Sequence, residues 1–231
     1  MKLILTCEHA GNEIPPEFQY LFRGNESVLT THRAFDMGAY DLFHSLQPLS
    51  DFSTFQKTSR LLVEMNRSVG NPNLFSEFAS ALASPERRHL LETYYFPYRE
   101  KIQHSIKEFI QNGEKVFHLS VHSFTPVFNG ENRTADMGLL YDPSKILENE
   151  LSKTMKALLK KEFPNMKIRM NYPYLGTSDG LTTDLREIFP QNYIGIELEI
   201  NQKFSVKNQL DSSIKIGVYK VVETVLSNFS E

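Results

Sequence analysis

The chain has 231 residues, of which 40% are hydrophobic and 23% charged, an ordinary globular composition that excludes a disordered polymer. A net charge of −3 leaves no basic footprint for nucleic acid, and the single cysteine excludes an intrachain disulfide and fits a reducing compartment. No apolar stretch approaches the ~20 residues of a membrane span, and Leu3-Ile4-Leu5 is too short for a signal-peptide core. A soluble cytoplasmic protein with one domain over residues 1–231 is expected.

In chain order, Lys2–Thr6 is an apolar run ended by a polar loop, which predicts a buried strand. Pro15-Pro16 is placed to open a short helix. Asp36–Leu46 has apolar residues at helical spacing and stops before Pro48. Thr54–Met65 reads as one strand or a hairpin edge. Pro85–Asn112 reads as mostly helical, stopped by Gly113, with Pro97 starting a new helix or kinking the first. Val116–Val121, Met137–Tyr141, Lys167–Met170 and Tyr193–Ile200 read as strands. Ser144–Phe163 is an amphipathic helix with Ile146, Leu147, Leu151, Met155, Leu158 and Leu159 on one face, and Ser205–Ser227 is a closing helix. Strands alternating with helices predict an α/β fold: three layers, with a mainly parallel or mixed central sheet covered by helices on both faces. Ligands of such sheets bind beyond the carboxyl ends of the strands.

Chemistry-bearing residues stand at those ends. His9 follows the first strand, where a neutral imidazole can ligate zinc. His122 follows Val116–Val121 and is the second expected ligand. Glu8, Glu13 and Asp36 compete to complete the shell, spacing favouring Glu13; Asp36 has an equally simple use as a helix N-cap. His118 lies about 13 Å from His122 along its strand and is expected to be structural. A carboxylate inside the apolar run Ile194-Gly-Ile-Glu-Leu-Glu-Ile200 is costly unless it has a partner or a task. Glu197 is therefore expected to be a general base, ahead of Glu199, which alternation puts on the same face. In Ser59-Arg-Leu-Leu-Val-Glu-Met-Asn-Arg-Ser68, Arg60 and Arg67 supply anion-binding groups; a guanidinium grips a carboxylate through paired hydrogen bonds, and a second one near a metal steadies an oxyanion. Arg133 is a further candidate of that type. Cys7 neighbours His9, but adjacent residues on an extended segment point apart, against a thiol nucleophile.

These stretches resemble the N-formylglutamate amidohydrolase family over most of the chain. The resemblance is carried by Cys7-Glu-His-Ala-Gly-Asn12 with Ile14-Pro15, His32-Arg-Ala-Phe-Asp-Met-Gly-Ala39, Ser59-Arg60 with Asn66-Arg67, His122-Ser-Phe-Thr-Pro126 and Gly195-Ile-Glu197. It implies a zinc-exopeptidase-like (phosphorylase/hydrolase-like) fold related to carboxypeptidases and aspartoacylase. It implies zinc on His9 and His122, a substrate carboxylate on Asn66 and Arg67, carbonyl polarisation by Arg60 and a base at Glu197. Relatives put two residues between the first His and its Glu; here Asn12 holds that spacing and Glu13 follows it, which keeps Asp36 in contention. Family members also commonly carry an Arg two positions after the late Glu. Glu199 stands there instead, and is expected to turn the substrate away from N-formylglutamate itself. The expected activity is metal-dependent cleavage of the amide of a small, carboxylate-bearing N-acyl amino acid, with no nucleic-acid or membrane partner. The alternatives are a non-catalytic relative that binds an amino-acid-like ligand, and an esterase or peptidase of the same fold.

Overall fold

Apolar runs of β-branched and leucine residues build the centre of the sheet. The computed structural model describes residues 1–229. Its strands are β1 (Lys2–Cys7), β2 (Phe52–Phe55), β3 (Val116–Phe124), β4 (Val127–Phe128), β5 (Glu131–Asn132), β6 (Met137–Leu140), β7 (Ile168–Met170), β8 (Tyr193–Asn201), β9 (Ser205–Val206) and β10 (Gln209–Leu210). Its helices are α1 (Ala39–Leu46), α2 (Ser84–Leu90), α3 (Phe96–Gln111), α4 (Ile146–Glu162), α5 (Leu181–Ile188) and α6 (Ser212–Asn228). Six strands form one sheet in the order β2-β1-β3-β8-β6-β7. All neighbours are parallel except β6, which runs antiparallel to β8, so the sheet is mixed.

Period-2 alternation gives the two faces different jobs. Leu3, Leu5 and Cys7, Phe117, Leu119 and Val121, and Ile194, Ile196 and Leu198 pack beneath α1, α4 and α6. The opposite face is apolar where the strands begin: Ile4, Val116 and Tyr193 meet α3 and α5. Further along that face the same alternation brings up Thr6 and Glu8, His118, Ser120 and His122, and Glu197 and Glu199. The carboxyl half of this face is thus a buried polar surface, at the end where ligands of such sheets bind.

Several elements differ from the sequence reading for identifiable reasons. The Thr54–Met65 run forms a strand only to Phe55, because its neighbour β1 ends in register there, at Cys7↔Phe55. Beyond it the apolar residues divide between two clusters, Leu61 and Leu62 in one, Val63 and Met65 in the other, with no ladder. The closing helix starts at Ser212 rather than Ser205. Before it, Lys207 and Asn208, both at positive φ, turn the β9–β10 hairpin, and Asp211 caps the helix by accepting from Ser213 N at 2.8 Å. The expected mostly helical Pro85–Asn112 is borne out: helical backbone continues from Ser84 to Gln111, and a π-helical turn at Leu91–Tyr95 accommodates the missing N–H of Pro97 at the start of α3. Ile146 is 73% exposed and does not join the apolar face of α4. α5 has no counterpart in the sequence reading. Among the described residues, no helix is long and apolar enough to cross a membrane.

Candidate metal and substrate site

Beyond β1 the chain keeps its alternation through Glu8, then bends at His9, whose carbonyl accepts from Asp36 N at 3.0 Å. This ties the Asp36 loop to the strand end. Asp36 Oδ2 lies 3.3 Å from His9 Nδ1 and 2.9 Å from His122 Nδ1. Ser123 N donates to the same oxygen at 3.2 Å. All three side chains are buried, and one ligand atom from each lies within 4.8 Å of the others. Two imidazole nitrogens and a carboxylate oxygen converging from three segments are a donor set suited to zinc.

The charges balance locally. Burial penalises the Asp36 carboxylate, but His9 and His122 outweigh it and hold it well below the usual range. Burial likewise opposes charge on His122, and Asp36 and Glu8 outweigh it and push the ring well above its ordinary value. Arg60 closes the cluster from outside. Its Nε donates to Glu64 Oε2 at 2.6 Å and its Nη1 to Asp36 Oδ1 at 3.3 Å.

A cavity of about 370 Å³ opens over this group, lined by His9, Asp36, Arg60, Asn66, Arg67, His122, Glu197 and Glu199, with Phe128 and Tyr174 at its outer wall. Glu197 is engaged from both sides. Thr182 donates to its Oε1 at 2.7 Å, and Asn66 Nδ2 stands 3.5 Å from its Oε2. Asn66 Oδ1 accepts from Leu181 N at 2.7 Å, which fixes the amide orientation at the start of α5. Glu199 is different. It is 4% exposed, paired in register with His122, and its Oε2 has no hydrogen-bond partner. Burial, with Asp36 and Glu197 adding to it against His122, raises its pKa to about 8.

Arg67, which lines this cavity, and Arg133, which packs against the aromatic residues of its wall, have no carboxylate within ion-pair distance among the described residues. Arg67 Nη1 donates to the carbonyls of Asn66 and Asp179, at 2.6 and 3.0 Å. Arg133 sits 4.5 Å from the Phe128 ring, 5.0 Å from Tyr174 and 5.9 Å from Phe124, with its buried Nη1 unpartnered.

The model of the N-formylglutamate amidohydrolase family matches residues 1–205. The chain belongs to this family. No curated protein matches the sequence. Among solved structures, the gene product Atu2144 of Agrobacterium tumefaciens is similar at 26% identity, over 100% of this chain and 92% of that one, with a TM-score of 0.84. An N-formylglutamate amidohydrolase from Ralstonia eutropha JMP134 is similar in fold at 15% identity, over 99% and 95% of the two chains, with a TM-score of 0.74. The chain is therefore an amidohydrolase-family protein on a three-layer α/β fold.

Within this family member, the sequence-expected residues divide clearly. His9, His122, Asp36, Arg60, Asn66, Arg67 and Glu197 meet at one cavity, and Arg133 stands against its outer wall. Asp36 does not cap α1, which begins three residues later after Gly38; its carboxylate is turned to the histidines. Glu13 is outside the group. Its side chain is 67% exposed, near Lys57, because residue 13 forms a parallel bridge with Thr58 that carries the loop away. Glu8 is buried beside His122 but meets Nε2, the ring edge opposite Asp36, at 3.0 Å. His118 is structural, held by Thr6 Oγ1 at 2.8 Å and Tyr193 OH at 2.7 Å and kept neutral by burial, which lowers its pKa to about 4. The Cys7 thiol is fully buried and pushed up by burial, which leaves it inert. The sequence reading missed Glu64, whose Oε1 makes a short contact with His9 Nε2. The signal was available: an acid inside Leu61-Leu-Val-Glu-Met65, the same pattern that drew attention to Glu197.

Proposed function

We propose that the chain is a zinc-dependent amidohydrolase that cleaves the amide of a small N-acyl amino acid bearing two carboxylates, a class that includes N-formylglutamate. The observation that carries this reading is the convergence of His9, His122 and Asp36 at a cavity lined by Arg67 and walled by the aromatic residues that hold Arg133, two guanidiniums that lack carboxylate partners among the described residues. A buried or half-buried cation without a partner is costly, and a substrate acid relieves that cost. Arg67, with Asn66 Nδ2 beside it, would hold one carboxylate; Arg133 would hold the second, its aromatic surround limiting hydration and strengthening the contact. This reading departs from the expectation that Glu199 turns away a dicarboxylate, since Arg67 and Arg133 have no carboxylate partner of their own among the described residues.

His9, His122 and Asp36 would hold the zinc ion, which supplies Lewis acidity that polarises a carbonyl and acidifies a water. With Nη2 also on Glu64 Oε2 at 2.5 Å, Arg60 keeps two N–H groups beyond those given to Glu64 and Asp36, and these would steady the oxygen of the attacked carbonyl. A glutamate takes a proton from the attacking water and delivers it to the amide nitrogen, which departs as the free amine while the acyl group leaves as its acid.

Glu197 is the first choice for that glutamate. A specific observation favours a second: Glu197 is already bonded to Thr182, whereas Glu199 lies level with His122, lines the cavity and has a free oxygen. Turnover of N-formylglutamate and zinc content should be measured in Glu197→Gln and Glu199→Gln. The base variant loses at least about 100-fold in kcat with full zinc. Loss of zinc in either would make that residue a ligand. No turnover by the zinc-loaded unmodified chain, on formyl-amino acids, esters or dipeptides, would leave the ligand-binding alternative.

A further inference from the structure

His9 and His122 are held alike, by glutamates that do not line the cavity. Each ring turns Nδ1 to Asp36 Oδ2 and Nε2 to a buried glutamate. His122 Nε2 lies 3.0 Å from Glu8 Oε2, and His9 Nε2 makes its short contact with Glu64 Oε1. Both glutamates are themselves anchored. Glu8 is 0% exposed and accepts from Tyr98 OH at 2.9 Å and from Ser120 Oγ. Glu64 accepts from Asn66 N at 3.0 Å and from Arg60 Nε at 2.6 Å.

We propose that Glu8 and Glu64 are positioning residues that hold the Nε2–H of both rings, so that once a cation takes the place of the Nδ1 protons, the two Nδ1 atoms and Asp36 Oδ2 face it together. A neutral imidazole has one N–H and one lone pair, and the N–H settles on the nitrogen facing the better acceptor. Ser120 Oγ also lies 2.8 Å from His122 Nε2; having given its own proton to Glu8, that hydroxyl can only accept from the ring, which likewise keeps a proton on Nε2. With Glu8 neutralised, nothing charged remains on the Nε2 side within hydrogen-bond distance, Glu197 being 3.9 Å away. Asp36 would then draw the N–H to Nδ1 and occupy the lone pair the cation needs. Glu64 does the same for His9 and also fastens Arg60 to the cluster, so ligand and oxyanion donor share one anchor. Outer carboxylates of this kind commonly set metal affinity by ~10–100-fold.

This inference rests on the proposed metal site, and zinc alone is the probe. Zinc dissociation constants are measured by chelator competition for the unmodified chain, Glu8→Gln and Glu64→Gln, with thermal melting to confirm folding. Long-range ¹H–¹⁵N NMR of the imidazoles reports which nitrogen carries the proton. The expected result is ~10–100-fold weaker zinc in either folded variant, and Nδ1 coordination with the proton on Nε2 in the zinc-loaded unmodified chain. Either variant suffices if the other fails to fold. Unchanged affinity in a folded variant, or coordination through Nε2, overturns the proposal while leaving the metal site intact. An unmodified chain that binds no zinc overturns the site and this inference together.

Discussion

The His9 and His122 rings stand with centroids 5.0 Å apart and planes tilted by 56°, each directing Nδ1 at one oxygen of Asp36. Their strands are adjacent and parallel in the sheet, so the pair is a product of topology rather than of local sequence. The loop bearing Asp36 is pinned to His9 by a backbone bond, which makes the aspartate the hinge of the arrangement.

Replacing Asp36 by Asn removes the shared anion and leaves a neutral amide between two rings. Zinc affinity should fall by at least ~100-fold, at or beyond the upper end seen for outer-sphere partners. Zinc per chain after dialysis checks this; full retention would show that Asp36 is not a ligand.

The two lone guanidiniums predict a selective pattern. Arg133→Met should lower kcat/KM by about tenfold to a hundredfold for an N-formyl dicarboxylate and leave an N-formyl monocarboxylate nearly unchanged. Arg67→Met should damage both. Kinetics on N-formylglutamate and N-formylleucine compare them, and equal losses for Arg133→Met would remove its assigned role.

Glu199 gives a pH prediction for the metal-free protein. Its folded pKa is about 8 against 4.5 for an ordinary glutamate, so between those values the folded chain holds a proton that the unfolded chain has released. Stability from this group is present below pH 4.5 and is lost as pH rises towards 8. Glu199→Gln should therefore gain stability relative to the unmodified chain as pH is raised from 5 to 8, by on the order of 1 kcal/mol per pH unit at most. Urea melts across that range measure it; a constant difference would place the carboxyl's pKa near normal.

A separate buried pair tests the fold's account away from the cavity. Arg186 Nε donates to Glu148 Oε1 at 2.8 Å, its Nη1 and Nη2 bond the carbonyls of Gly176 and Gly195, and Gly195 N returns to Glu148 at 3.1 Å. This joins α4, α5 and β8. Glu148→Leu leaves a buried guanidinium without its partner and should cost about 3–5 kcal/mol, read by urea denaturation.

Much of this was legible in the sequence because strands announce themselves by apolar runs. β1, β3 and β8 were found that way, and with them His9, His122 and Glu197 at the polar ends. Asp36 was legible as one of three candidate ligands, but the sequence could not choose between that and a helix cap, because the choice depends on where α1 begins. Glu13 failed because spacing along a loop says nothing about its direction, which here is set by the bridge to Thr58. The partners of Glu8 and Glu64 could not be read at all: each depends on which ring edge a distant histidine presents. The β9–β10 hairpin was hidden by helical spacing on either side of Lys207-Asn208.

His9, His122 and Asp36 are proposed to bind a single zinc ion per chain. Zinc titrated into the metal-free protein, followed by X-ray absorption at the zinc edge, tests it most directly. The account predicts one ion per chain, coordinated by two imidazole nitrogens and a carboxylate oxygen, and loss of that spectrum in His122→Ala. Absence of binding, or an unaltered spectrum in that variant, would contradict it.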